Sequence, residues 1–246
     1  MHRRQILERL PIFATVERRE RAIHAARAIR RIRRRGFEAL GSRRYSRPEV
    51  AGLMRYLDFD DGYFIEAGAN DGFRQSNTYY LERFRGWRGV LIEPIPELYE
   101  RCVLQRPRAR CFNCALVEPE AAGTTAVMRF GDLMSHRVSP DDGSPDLEGA
   151  NWGWSRAYDV AVPTKTLSQV LDDAPAPRWD FLSLDLEGHE RSALGGLDLE
   201  RHGPLYILVE ADPPATRLPP LQRVLGGRYE LVEQLGSRDF LFRRAD

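Results

Sequence analysis

Lysine is almost missing from these 246 residues: Lys165 is the sole example, so arginine fills nearly every basic role and residue type alone singles out no particular arginine. Cysteine is scarce too. Cys102, Cys111 and Cys114 are odd in number, at spacings that suggest no disulfide framework, and they read as reduced thiols. No apolar run approaches the roughly 20 residues that cross a bilayer, and the first arginines are not followed by the apolar stretch of a secretory signal. The expected location is the cytosol. Also missing is the G-x-G-x-x-G turn of pyrophosphate-binding folds, which argues against a nicotinamide-dependent oxidoreductase. The length rules out two ordinary domains. With 42% hydrophobic and 30% charged residues, the composition is that of a globular chain with one full core.

The formal net charge of +1 conceals an asymmetry. Residues 1–47 hold 15 arginines against four glutamates, and the rest of the chain holds 22 basic and 32 acidic side chains. Within the head, 17–40 sets Ile23, Ala26, Ile29 and Ile32 at roughly helical spacing among arginines, the pattern of a basic amphipathic helix that Gly36 ends or bends. Two readings follow. The helix attaches to an acidic surface such as anionic lipid head groups, peripheral to the inner face of the membrane, or it packs on the acidic body or on a second subunit of a homodimer. Nucleic acid is not an expected partner, because the body is acidic and no basic patch interleaved with aromatics follows. The domain reading is a basic helical extension over 1–47 and one catalytic domain over 48–246.

From residue 62 short apolar runs alternate with amphipathic stretches, which predicts an α/β fold with a mostly parallel sheet and helices on both faces. Strands are expected at Tyr63–Ala67, Gly89–Glu93, Ala109–Leu116, Phe181–Leu186 and Leu205–Ala211. Helices are expected at Thr78–Phe84, Glu97–Gln105, Leu167–Asp173 and His189–Leu197. Tyr229–Leu235 and Asp239–Arg243 flank a Gly-Ser-Arg turn and predict a closing antiparallel hairpin. Such a hairpin separates a methyltransferase sheet from a dinucleotide-binding one. The stretch 131–160 has no periodicity but contains His136, Trp152 and Trp154, and reads as a lid or substrate loop, or as a plain surface loop.

Three motifs carry chemistry. In Tyr63–Gly72 (YFIEAGANDG) an apolar strand runs into an acid and a glycine-bearing turn, where Gly68 and Gly72 let backbone pass close to a ligand and Glu66 is expected to face the ligand's ammonium group. In Gly89–Pro94 (GVLIEP) Glu93 closes the second strand, the position from which a carboxylate accepts both ribose hydroxyls of a nucleoside. The two together describe an adenosine pocket. In Asp180–Glu190 (DFLSLDLEGHE) a strand releases Asp185, Glu187, His189 and Glu190, an acid/base or substrate-orienting cluster, with Glu210 and Asp212 expected at the same edge. Asp185 or His189 is the expected base. Crowded carboxylates also allow a magnesium ion on Asp185 with Asp212 or Glu210.

FIEAGANDG, SNTYYLE (Ser76–Glu82), GWRGVLIEPIPELYERC (Gly86–Cys102), FNCALV (Phe112–Val117), PTKTLSQVL (Pro163–Leu171) and DFLSLDLEGHERSALGGLD (Asp180–Asp198) together resemble the FkbM family of methyltransferases. The resemblance implies a Rossmann-like class I methyltransferase fold, S-adenosylmethionine as cofactor, and O-methylation of a sugar, glycolipid or other polyhydroxylated natural product. It implies a cofactor site with Glu66, Gly68, Asn70, Gly72 and Glu93, and an acceptor side over 185–190 with Asp185, Glu187 and His189 as catalytic candidates. Many members carry lysine where this chain has Ser183. The competing reading is a binding or scaffolding protein that keeps the fold without turnover.

Overall fold

The structure, a computed structural model, describes residues 48–130, 136–137 and 158–245. The helix expected over 17–40, with the rest of the 1–47 head, lies outside the described residues, as do 131–135 and 138–157 of the expected lid. The described strands are β1 (Tyr63–Ala67), β2 (Arg88–Ile92), β3 (Ala109–Phe112), β4 (Ala115–Leu116), β5 (Thr125–Phe130), β6 (His136–Arg137), β7 (Tyr158–Lys165), β8 (Phe181–Leu184), β9 (Tyr206–Glu210), β10 (Tyr229–Gln234) and β11 (Asp239–Arg244). The helices are α1 (Tyr79–Phe84), α2 (Pro96–Gln105), α3 (Leu167–Asp173), α4 (Glu190–Gly195), α5 (Leu199–His202) and α6 (Pro214–Leu225). Among the described residues no helix is long and apolar enough to cross a membrane.

Seven strands form one sheet in the order β10-β11-β9-β8-β1-β2-β3. All pairs from β9 to β3 are parallel, and β11 runs antiparallel to both β9 and β10, so the expected hairpin is present and its second strand lies inside the sheet. Alternate residues of the central strands, Ile65 and Ala67 with Val90, Ile92, Leu182, Leu184, Ile207 and Val209, face one layer. There they meet α3 through Leu167, Val170 and Leu171, α4 through Ala193 and Leu194, and α6 through Leu221 and Leu225. The intervening residues Phe64, Glu66 and Ser183 point to the other face, where the Arg106 guanidinium lies 5.2 Å from the Phe64 ring centre.

Three departures from the expected pattern have local causes. The single strand expected over 109–116 breaks at Asn113, whose Nδ2 donates to the carbonyls of Glu93 (2.9 Å) and Pro94 (2.7 Å); β3 stays in the large sheet and β4 joins a smaller one. That smaller sheet, β4-β7-β5-β6, takes in both margins of the 131–160 stretch, which is therefore not wholly loop. Helix α6 is not among the expected helices: it has prolines at 219 and 220, yet Leu221 and Leu225, four residues apart, are buried and hold it to the core.

Candidate functional site

The chain leaves β1 for β2 and β3 on one side, then returns to β8 and β9 on the other. A cleft therefore opens at the carboxyl ends of β1, β2 and β8, the switch point where α/β sheets bind ligands. Gly68, the first residue beyond β1, has φ +81°, and a Cβ there would sit 1.8 Å from the Asp185 carbonyl oxygen. Only glycine lets the two chain segments approach so closely. The Asp185 N–H donates to the Ala67 carbonyl at 3.2 Å and completes the join. Gly68, Asn70, Glu93, Asp185 and Glu187 all line the cleft.

Glu93, one residue past β2, is 5% exposed. Its Oε2 accepts the Asn70 N–H at 2.8 Å and its Oε1 the Ile95 N–H at 3.0 Å, so the carboxylate clamps the turn while each oxygen keeps a second lone pair. Pro94, Leu98 and Met128 add an apolar wall beside it, Met128 coming from β5 of the smaller sheet. Burial pushes the Glu93 carboxyl up to about 8. In the unfolded chain this group loses its proton near pH 4.3, about the model-peptide value. The folded state therefore holds the extra proton from about pH 5 to about 8, and the stability it contributes is lost as pH rises through that window, by at most about 1.4 kcal/mol per pH unit. Urea midpoints are expected to fall across that range, and less steeply in Glu93→Gln. A midpoint that climbs instead would contradict the assignment.

Glu66 stands elsewhere. It lies within β1, so its side chain leaves the sheet perpendicular to the strand and is buried beneath the turn. It accepts from Ser76 Oγ (2.8 Å), the Asn77 N–H (2.7 Å), Thr78 Oγ1 (2.6 Å) and Arg106 Nη1 (3.3 Å). It anchors the loop that follows the turn and is not among the cleft-lining residues. Gly72 packs on the same support: a Cβ there would come within 2.9 Å of Arg106 Cγ, and its carbonyl accepts Arg106 Nη1 at 3.0 Å. Arg106, 1% exposed, also donates to Glu82 through Nε (2.7 Å), to Ser76 Oγ (3.1 Å) and, through Nη2, to Thr78 Oγ1 (2.7 Å). Sequence reasoning passed over Arg106 because arginine is everywhere in this chain. The signal available was the pair of acids it joins, one in a strand and one on the Tyr80–Leu81–Phe84 face of α1.

Beyond the ends of β8 and β9, Asp185, Glu187 and Glu210 bring carboxylate oxygens within 4.8 Å of one another. Burial and the neighbouring Asp185 carboxylate, which is hydrogen-bonded to Glu210, push the Glu210 carboxyl upward. Glu187 has φ +51°, a left-handed conformation uncommon for a residue with a side chain. Glu190 closes the turn: its Oε1 accepts the N–H groups of Leu186 (2.8 Å) and Gly188 (3.0 Å), and burial raises its pKa. His189 occupies the N-cap position of α4 without capping it and is not among the cleft-lining residues, and Asp212 instead accepts from Arg238 at 3.2 Å. A wider hollow of about 520 Å³ opens at the opposite edge of β8 and β9, but its Arg178 and Arg201 are paired with Asp180 and Asp172, and none of the strand-end carboxylates reaches it.

A parallel sheet closed by an inserted antiparallel hairpin, with a glycine turn after its first strand and a carboxylate after its second, defines a class I methyltransferase. The model of the methyltransferase FkbM domain matches residues 66–237. The chain belongs to the FkbM methyltransferase family. No curated protein matches it in sequence. Solved structures similar to it include a TehB-like SAM-dependent methyltransferase from Corynebacterium glutamicum (14% identity, 87% of this chain and 95% of that one, TM-score 0.42). Others are an O-methyltransferase from Bacillus cereus in complex with SAH (12%, 86% and 88%, 0.44) and a precorrin-6y C5,15-methyltransferase from Geobacter metallireducens (10%, 83% and 92%, 0.42).

Proposed function

We propose that the chain is an S-adenosylmethionine-dependent O-methyltransferase acting on a hydroxyl of a sugar, glycolipid or other polyhydroxylated natural product. The observation that carries this reading is the placement of Glu93, buried at the end of β2 yet facing the cleft beside the Gly68 turn. The residues fit the cofactor: Glu93 oxygens for the ribose hydroxyls, Pro94, Leu98 and Met128 for the base, and Asp185 and Glu187 for a ligand that carries a sulfonium and an ammonium. When bound, S-adenosylmethionine supplies a methyl group activated for in-line displacement. The chain's part is to hold the acceptor hydroxyl in line and to take its proton, for which Asp185 is the cleft-lining base.

Calorimetric titration of Glu93→Ala with S-adenosylmethionine tests the pocket. The titration is run at about pH 9, above the value of about 8 below which burial keeps the Glu93 carboxyl protonated; there each hydrogen bond to the charged group contributes about 1.5–3 kcal/mol, and affinity is expected to fall at least about tenfold. Unchanged affinity would remove the assignment. For the acceptor side a second reading is a magnesium ion on Asp185, Glu187 and Glu210, favoured by the convergence of their oxygens within 4.8 Å.

A further inference from the structure

S-adenosylmethionine has three charged groups, and the cleft has so far been matched to two of them. Asp185 and Glu187 line it, acidic side chains that suit sulfonium and ammonium and oppose the ligand's own carboxylate. Resting on the cofactor reading above, we propose that Arg74 binds that carboxylate. It is the one cationic side chain among the described residues lining the cleft.

The loop carrying Arg74 is fixed from below and from both ends. Asp71 Oδ1 accepts the N–H groups of Phe73 (2.9 Å) and Arg74 (2.8 Å). Two residues further on, Ser76 and Asn77 are tied to Glu66, and Asn77 Nδ2 donates to Ser183 Oγ on β8 at 3.0 Å. That last bond draws the loop towards the Asp185 side of the cleft. A ligand with its ribose at Glu93 on the β2 side and extended across Gly68 would bring its amino-acid end towards the same side. Arg74 and Gln75, both exposed, form the tip of the loop, where Gln75 takes a left-handed φ of +56°. A guanidinium on a tethered loop can meet a carboxylate with two parallel N–H···O bonds and loses less freedom in doing so than one on a free chain.

The test is calorimetry on the full chain with two ligands, S-adenosylmethionine and its decarboxylated form, which keeps the sulfonium and the ammonium. Arg74→Ala is expected to weaken the first by about tenfold to a hundredfold, the range for lost charge-assisted bonds, and to leave the second within about twofold. Arg74→Lys should retain part of the difference. Equal losses for both ligands would mean that Arg74 serves the loop and not the carboxylate, and unchanged binding of S-adenosylmethionine would equally overturn the proposal. A wild-type chain that binds neither ligand would sink the cofactor reading and this inference with it, whereas wild-type binding combined with either Arg74 failure sinks the inference alone.

Discussion

Asp185→Asn is expected to lower methyl transfer by about 10²- to 10⁴-fold, the usual contribution of a positioned general base, while S-adenosylmethionine still binds within a few-fold of wild type. The substitution keeps the shape but removes the negative charge and turns one acceptor oxygen into a donor. Asp185 lies one residue beyond β8, lines the cleft and shares a hydrogen bond with Glu210, so the amide should occupy the same place. A chelator separates its two possible duties. If Asp185 takes the acceptor proton directly, EDTA leaves the wild-type rate unchanged; if it holds magnesium with Glu187 and Glu210, EDTA abolishes the rate and added magnesium restores it. A variant that turns over at close to the wild-type rate would show that the chemistry lies elsewhere, and His189 would be the next residue to replace.

The largest effect on stability is expected from Arg106→Leu. Truncating one partner of a buried ion pair costs about 3–5 kcal/mol, and here a single guanidinium serves two buried carboxylates, Glu66 and Glu82. For a domain of this size that is a fall in melting temperature of about 6–20 °C. Arg106→Lys should recover little, because an ammonium cannot reproduce the five contacts that Nε and the two Nη atoms make. The loop it supports carries both the Asn70 clamp on Glu93 and Arg74, so residual folded protein should also bind cofactor poorly. A loss below about 1 kcal/mol in urea unfolding would show that the network is dispensable. Ser183 stands in register with Glu66 across β1 and β8, and the cation beside Glu66 comes from Arg106 at the end of α2.

What the sequence revealed of the site depended on where each acid lies relative to its strand end. Glu93 and Asp185 follow the last paired residues, Ile92 and Leu184, and so turn into the cleft, as their motifs implied. Glu66 belongs to the same motif but is still inside β1, and the alternation of the strand sends it into a helix layer. The large sheet was legible because its strands are nearly uniform apolar runs. The smaller sheet was not, because its strands bury little: in β7 only Val162 and Thr164 are buried. Met128 escaped notice for the same reason, although it walls the cleft.

The cleft is made by a pairing between distant parts of the chain. β1 meets β2 soon after it leaves the turn, but its other neighbour, β8, arrives only after the chain has returned from a long excursion; the Tyr63 N–H and the Asp180 carboxylate that join the two are 117 residues apart. Closing so long a loop costs entropy before any contact rewards it, and such pairings form late. During synthesis the segment carrying Asp185 is made well after the one carrying Glu93, so the two sides of the cleft cannot meet until late. The cleft is therefore completed only when the later part of the chain has been made and has paired with β1.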